Sequence, residues 1–270
     1  MTKEWSALVL ERIGEGVVRL NFNRPEKRNA LSRILTGEIL DALETVRADP
    51  DVRVIVTRGN GPCYCAGADL HDLRAIHTEP PRDWDRSHPN MMFYESFRNY
   101  PKVTIAQVHG HCLGGGMALM TAHDIAIAAD TAKIGMPEIV RGSFGQMALS
   151  SLYHTGITAK KAALMHYSGR NFSGAEADRF GLVSAAVPEG ELEAVTLQLA
   201  REIGSRHPAA LASAKIAVQM GRDLPLSQAL RTDQLVAARQ QLMMDTFSDV
   251  EGYLRSQSGG TNTGYRRDDT

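Results

Sequence analysis

Apolar and polar residues alternate in a way that predicts short strands near the start of the chain. Apolar runs over 7–10 and 17–22 flank the turn Gly14-Glu15-Gly16, which predicts a β-hairpin. Between Ser32 and Asp49 the apolar residues recur at helical spacing instead, with Ser32 as the N-cap. The chain therefore opens with a hairpin followed by an amphipathic helix.

Strands and helices alternate through the middle of the chain, and helices predominate after it. The pattern predicts strands over 52–57, 103–108, 125–129 and 183–187. It predicts helices near 84–99, after the glycines at 114–116, and over 158–167, 174–180, 191–204, 208–220 and 226–247. We therefore expect an α/β core over 1–200 and a helical region over 201–255. The remaining stretch, 256–270, is rich in Gly, Ser and Thr, and we expect a flexible tail there.

The bulk composition predicts a globular protein and excludes two classes of partner. The 270 residues are 43% hydrophobic and 23% charged, and the net charge is −1. No overall basic charge is available to hold nucleic acid or an anionic membrane surface, so we expect neither partner. The segment Met1–Trp5 lacks an apolar signal region, which predicts a cytoplasmic location and three reduced cysteines.

Two loops of small residues are candidates for chemistry. The segments Cys65–Leu70 (CAGADL) and His109–Gly116 (HGHCLGGG) each follow a predicted strand and lead into a helix. A helix N-terminus has free backbone N–H groups and partial positive charge, and glycine lets a ligand approach the backbone closely. Taken singly, such glycine clusters more often serve turns or close packing. Side by side, the two loops would aim two N–H groups at one oxygen atom and form an oxyanion hole.

Several segments, in this order along the chain, resemble the signatures of the crotonase (enoyl-CoA hydratase/isomerase) family. They are Asn23–Ser32, Cys65–Leu70, His109–Gly116, Met136–Ile139, and Phe172–Ala177 together with Gly181–Val183. The resemblance implies an α/β fold, a crotonase-like spiral of repeated ββα units with a helical C-terminal region. It also implies a homotrimer or a dimer of trimers, with trimer contacts made by 201–255.

The resemblance further implies a role for individual residues. The catalytic set would be Glu138 as acid and base and the backbone N–H groups of Ala68 and Gly115. The CoA-binding set would be Lys27 beside the nucleotide, Ala66, Asp69, Leu70 and Gly114. The partner is then an acyl-CoA thioester. Because CoA belongs to the substrate, we expect no separate cofactor and no metal.

Residue 118 departs from the family pattern. Typical hydratases of the family carry a second glutamate at the position of Ala118, whereas the isomerases and the hydroxycinnamoyl-CoA hydratase-lyases resemble this chain in keeping only the residue that matches Glu138. We favour an acyl-CoA lyase of the enoyl-CoA hydratase type with one carboxylate. The alternatives are a Δ3,Δ2-enoyl-CoA isomerase and a non-catalytic CoA- or partner-binding homologue. The loop Arg141–Gln146 also departs from the family, so the acyl group stays open.

Simpler interpretations compete with these roles. A glutamate such as Glu138 is more often a solvated carboxylate, whereas burial near Met136, Ile139 and Phe144 would raise its pKa and suit proton transfer. The pair His109 and His111 suggests a metal only weakly, since no further ligand completes a site. A cluster of methionine and aromatic residues either lines an acyl pocket or belongs to the core: Met91, Met92, Phe93, Tyr94 and Phe97.

Overall fold

The computed structural model describes residues 4–78, 89–243 and 254, and the chain divides into two compact units, Met1–Gly204 and Ser205–Thr270. The strands are β1 (Leu8–Gly14), β2 (Val17–Phe22), β3 (Val54–Gly59), β4 (Val103–Val108), β5 (His111–Leu113), β6 (Ile125–Ala129), β7 (Lys133–Gly135), β8 (Asn171–Ser173) and β9 (Ala185–Val187). The helices are α1 (Arg33–Arg47), α2 (Leu70–Thr78), α3 (Pro89–Arg98), α4 (Gly115–Ala122), α5 (Gln146–Tyr153), α6 (Ala159–Ser168), α7 (Gly174–Arg179), α8 (Leu192–Gly204), α9 (Pro208–Asp223) and α10 (Leu226–Met243). Short 3-10 helices cover Pro25–Lys27, Pro137–Arg141 and Glu189–Glu191.

The first unit is built on a six-stranded sheet in the order β1-β2-β3-β4-β6-β9. The hairpin strands β1 and β2 are antiparallel, with Leu8 opposite Phe22, and every later pairing in this sheet is parallel. Parallel strands are covered on both faces, which explains why every residue of β2 is buried. Helix α8 packs across β2, β3, β4 and β6.

A second, three-stranded sheet in the order β5-β7-β8 gives the chain its spiral course. From β4 the chain crosses to β5 and enters α4, and from β6 it crosses to β7 and enters the 3-10 helix Pro137–Arg141. Single bridges between Leu31 and Ala68 and between Cys65 and Cys112 continue this second layer. The expected α/β spiral of ββα units is confirmed.

Short elements account for the differences from the sequence-based expectations. Strands β5, β7 and β8 have three residues each, which is too few to show an alternating pattern. The first hairpin strand continues to Gly14 through an irregularity between Arg12 and Gly14. Helix α1 begins as expected, with Ser32 Oγ accepting a hydrogen bond from the Leu35 N–H at 3.2 Å.

The second unit is helical in its described part. Helices α9 and α10 pack against each other, and His207 caps α9 by accepting a hydrogen bond from the Ala209 N–H at 3.2 Å. The end of the helix predicted to reach residue 247 and the tail predicted over 256–270 lie outside the described residues. Among the helices that the structure describes, none is both long and apolar enough to cross a membrane. A trimer contact made by 201–255 stays a prediction.

Candidate active site

The first small-residue loop is held by main-chain hydrogen bonds that leave one amide facing outward. The Leu31 N–H donates to Gly67 O at 2.8 Å, and the Asp69 N–H donates to Leu31 O at 3.1 Å. Leu31 therefore bridges the residues on either side of Ala68. Successive peptide N–H groups of an extended segment point in opposite directions, so the Ala68 N–H points away from Leu31.

The second loop is fixed to the first by the same kind of bond. The Leu113 N–H donates to Cys65 O at 3.0 Å, and the Gly114 N–H donates to Gly135 O at 2.9 Å. Gly115 is the first residue of α4, so its N–H has no partner in the helical ladder. The helix dipole adds partial positive charge at this amide.

The two outward amides lie close to each other. A methyl group added at Gly115 would lie 3.4 Å from the Ala68 nitrogen, and one added at Gly67 would lie 3.5 Å from the Gly115 nitrogen. Gly67 also has a φ of +103° and would collide with Leu113 O if it carried a side chain. The structure thus brings both predicted donors together, and their binding of a thioester oxygen stays a prediction.

Glu138 lies beside these donors. It is the second residue of the 3-10 helix Pro137–Arg141, and its Oε1 lies so close to Gly114 that a side chain there would collide with it. On the other side, a methyl group added at Gly145 would lie 3.3 Å from the carboxyl carbon of Glu138. The carboxylate is therefore seated between two glycines, next to the amide of Gly115.

The surroundings of Glu138 raise the pKa of its carboxyl group. Its side chain is half-buried, and Oε2 is buried without a hydrogen-bond partner among the described residues. Burial raises the pKa of Glu138, although its own backbone N–H and the charges of Arg141 and His166 oppose this. A carboxyl group whose pKa is raised towards neutrality can both take up and return a proton.

The three apolar residues expected near Glu138 differ in how far they are buried. Met136 is buried as predicted, but Ile139 and Phe144 are 38% and 56% exposed. The predicted contribution of these two residues to burying the carboxylate stays a prediction. The glycines Gly114 and Gly145 let the backbone close around the carboxylate.

The aromatic cluster divides between core and site. Phe93 and Phe97 are buried in the hydrophobic core. Tyr94 reaches the second loop, where its hydroxyl donates to Gly115 O at 3.3 Å. The side chain of Met91 lies outside the described residues. The core interpretation therefore holds for Phe93 and Phe97, and the lining of an acyl pocket stays a prediction. No sequence signal distinguished Tyr94 from its neighbours.

Ala118 offers no polar atom to the site. It lies one turn along α4 from Gly115 and is only 1% exposed, packed in the core. The structure therefore supplies no carboxylate at this position. The carboxylate of Glu138 lies against the second loop at Gly114.

Asp69 is engaged by neighbouring groups. Its carboxylate accepts hydrogen bonds from the His71 N–H and from Arg24, each at 3.0 Å, and it caps α2. Burial alone would raise the pKa of Asp69, but these hydrogen bonds outweigh it and lower the pKa. This carboxylate therefore stays ionised and holds the loop to the N-terminal segment, and its predicted contact with CoA stays a prediction.

The remaining predicted CoA-binding residues lie along the same segments. Lys27 is exposed in the 3-10 helix Pro25–Lys27, and Leu70 is exposed at the start of α2. Ala66 is half-buried, and its N–H donates to Arg28 O at 3.0 Å. This bond links the first loop to the segment that carries Lys27. Nothing in the structure tests contacts with CoA.

The histidine pair does not share a strand. His109 follows β4 and its Nε2 lies 3.0 Å from Gly61 O, whereas His111 begins β5. Within residues 4–78 and 89–243, no group of three or more His, Cys, Asp or Glu side chains could hold a metal ion. The three cysteines are free and buried, and burial raises the pKa of Cys65 to about 12.

Comparisons of the sequence with known proteins find relatives over most of the chain. A family model described as Enoyl-CoA hydratase/isomerase matches residues 12–254. A hydroxycinnamoyl-CoA hydratase-lyase of Pseudomonas fluorescens is 34% identical over 83% of this chain and 82% of its own length. An enoyl-CoA isomerase/hydratase of Mycosarcoma maydis is 32% identical over 80% of this chain and 81% of its own.

Solved structures give the same result for the fold. An enoyl-CoA hydratase of Bacillus anthracis superposes with a TM-score of 0.83 at 28% identity, covering 96% of this chain and 99% of the other. The match to the family model spans most of the described chain and includes both loops and Glu138. The chain therefore belongs to the enoyl-CoA hydratase/isomerase family, the crotonases.

Proposed function

We propose that the protein is an acyl-CoA lyase of the enoyl-CoA hydratase type with a single carboxylate. One observation carries this proposal: the amides of Ala68 and Gly115 lie close to each other, beside the half-buried carboxylate of Glu138. Amide donors of this kind stabilise an oxyanion, and the adjacent carboxylate supplies proton transfer. The substrate is a 2-enoyl-CoA thioester.

The amides act on the thioester carbonyl. Its oxygen accepts hydrogen bonds from the Ala68 and Gly115 N–H groups, and these bonds strengthen as negative charge develops on the oxygen. Each such donor contributes about 3 kcal/mol to transition-state stabilisation. Because both donors belong to the backbone, this binding of the thioester oxygen does not depend on the acyl group or on any titratable side chain.

Glu138 moves the proton. Ionised Glu138 takes a proton from water while the water oxygen bonds to the β-carbon of the enoyl group, and the electron pair of the double bond moves onto the thioester oxygen as an enolate. Protonated Glu138 then returns the proton to the α-carbon, and the carbonyl re-forms. The product is a 3-hydroxyacyl-CoA, and the reverse sequence expels water.

Isomerisation is the second candidate function. The absence of a polar atom at Ala118 favours it, and so does the similarity to the isomerase/hydratase of Mycosarcoma maydis. In this reaction Glu138 removes a proton from C2 of a 3-enoyl-CoA and returns it to C4, with the enolate held by the same amides. No water is consumed.

Incubation with matched thioesters separates these functions. A set of 2-enoyl-CoA and 3-enoyl-CoA thioesters, including hydroxycinnamoyl-CoA, is offered to the protein, and products are identified by mass. The hydratase proposal expects a 2-enoyl-CoA to gain the mass of one water. Consumption of only 3-enoyl-CoA at constant mass would establish the isomerase, and binding of CoA without any turnover would establish the non-catalytic homologue.

We also propose that the chain assembles as a homotrimer or a dimer of trimers in the cytoplasm. Ile139, Val140 and Tyr167 are exposed apolar side chains, and Ile139 and Val140 lie against the end of α6 at Gly169. Exposed apolar patches of this kind are covered in assemblies. Light scattering on the eluting protein measures the mass, and a monomer would overturn this part of the proposal.

A further inference from the structure

Addition of water requires that the water molecule lose a proton and that its oxygen be oriented towards the β-carbon. A water molecule that makes one hydrogen bond to Glu138 still rotates about that bond, and misaligned reacting atoms lower the rate steeply. A second hydrogen-bond partner would fix the direction of the lone pair that attacks the β-carbon. Ala118 is apolar and cannot serve.

The Tyr94 hydroxyl lies close to both amides. It lies 2.9 Å from the point that a methyl group at Gly115 would occupy, and the Ala68 nitrogen lies 3.4 Å from the same point. The hydroxyl therefore stands on the side of Gly115 that faces the other donor. Glu138 approaches the same loop from the neighbouring residue, Gly114.

The hydrogen-bonding capacity of Tyr94 is only partly used. A phenol has one proton to donate and two lone pairs that accept. The proton is donated to Gly115 O at 3.3 Å, which leaves the lone pairs. Burial raises the pKa of Tyr94, and nearby Cys65 and Glu138 raise it further, so the phenol stays protonated and cannot act as a base.

We propose that Tyr94 is a further catalytic residue, whose hydroxyl accepts one O–H of the attacking water while Glu138 accepts the other. This inference rests on the proposed hydratase function. The water proton on the Glu138 side passes to its carboxylate, the oxygen bonds to the β-carbon, and the thioester oxygen takes the electron pair. The second water hydrogen stays on the product hydroxyl, and Tyr94 keeps its own proton throughout.

Tyr94→Phe tests the proposal because it removes the hydroxyl and keeps the ring. Its kcat for hydration of a 2-enoyl-CoA should fall by about 10-fold to 100-fold, with little change in KM. Exchange of the α-protons of a saturated acyl-CoA with D2O uses the amides and Glu138 but adds no water. This exchange rate should be unchanged in the variant.

Tyr100→Phe is the matched control. Tyr100 is a buried tyrosine whose hydroxyl donates to Leu43 O at 2.6 Å, so this variant loses the same kind of hydrogen bond elsewhere. Its hydration rate should equal that of the parent. Thermal melting and CoA binding establish that each variant is folded, and Tyr94→Met serves as a second variant without the hydroxyl.

Two results with Tyr94→Phe would overturn the proposal. Equal losses in hydration and in proton exchange would show that Tyr94 only positions Gly115, and unchanged hydration would show no role. Failure of the proposed function is visible separately, since the parent protein would then exchange α-protons without hydrating any 2-enoyl-CoA. That result would remove both proposals before any variant is made.

Discussion

The two amide loops and the Glu138 segment are held in opposite ways. Around Ala68 the backbone is hydrogen-bonded on both sides, and the loops are bonded to each other through Cys65 and Leu113. Around Glu138 the carboxylate oxygen Oε2 is buried without a partner within the described chain, and the adjacent Val140 is largely exposed. The first region is therefore fixed by main-chain hydrogen bonds, whereas the carboxylate of the second keeps one oxygen without a partner among the described residues.

This difference suits the amide loops to binding the thioester oxygen and Glu138 to proton transfer. The loops that carry the two donor amides are held in place by main-chain hydrogen bonds. The donors therefore need no reorganisation when charge develops on the bound oxygen, and this preorganisation gives strong electrostatic stabilisation. A buried carboxylate that lacks hydrogen-bond partners has a raised pKa, which makes its ionised form a stronger base. The substitutions below break one region at a time.

Glu138→Gln should have the largest effect. Because glutamine cannot accept a proton, kcat should fall by about 1000-fold or more, while the backbone amides still bind the thioester. Kinetics with a 2-enoyl-CoA and calorimetric titration with a substrate analogue measure the two quantities. Turnover within about 10-fold of the parent would remove Glu138 from the mechanism.

Gly67→Ala should break the amide region. The added methyl group would collide with Leu113 O and push the loops apart, so we expect kcat/KM to fall by about 100-fold, as for loss of one oxyanion donor. Gly14→Ala is the control, since Gly14 has a φ of +97° but open surroundings. Both variants should lose about 1–2 kcal/mol of stability from backbone strain. Equal activities would mean that the contact between the loops is irrelevant.

Arg141→Leu should shift the pH dependence of catalysis by Glu138. The charge of Arg141 lowers a pKa that burial has raised, so its removal should raise the pKa of Glu138 further. Because Glu138 must be ionised to accept the water proton, the acidic limb of kcat/KM should move to higher pH by a few tenths of a unit. The shift should shrink in 1 M salt, where screening is strong. A limb that moves to lower pH would contradict the assignment.

The smallest effect expected is a gain in stability in Glu138→Gln. A carboxyl pKa raised on folding contributes stability below its unfolded value, and this contribution is lost as the pH rises through the folded value. At neutral pH the parent holds an ionised, partly buried group that the variant lacks. The Tm of the variant should exceed that of the parent by about 2 °C at pH 7 and equal it near pH 3. A lower Tm at pH 7 would indicate a stabilising partner for the carboxylate.

The elements predicted correctly are those with a repeating pattern or an unusual composition. The hairpin before Phe22, helix α1 and both glycine loops have such signals. The role of Glu138 rests on a family segment and stays a prediction. The three-residue strand β5 has no period to detect, although it holds the second loop in place. The approach of Tyr94 to Gly115 depends on tertiary packing between residues far apart in sequence, which local pattern does not encode.

The single bridge between Leu31 and Ala68 determines which residue of the first loop directs its N–H group away from Leu31. In an extended segment, the backbone polar groups of successive residues point to opposite sides. A shift of this segment by one residue against Leu31 would therefore turn the Ala68 N–H towards Leu31. The site would then lose one of its two proposed donors, although every side chain around it remained the same. The length of the stretch between Cys65 and Ala68 should therefore tolerate no change.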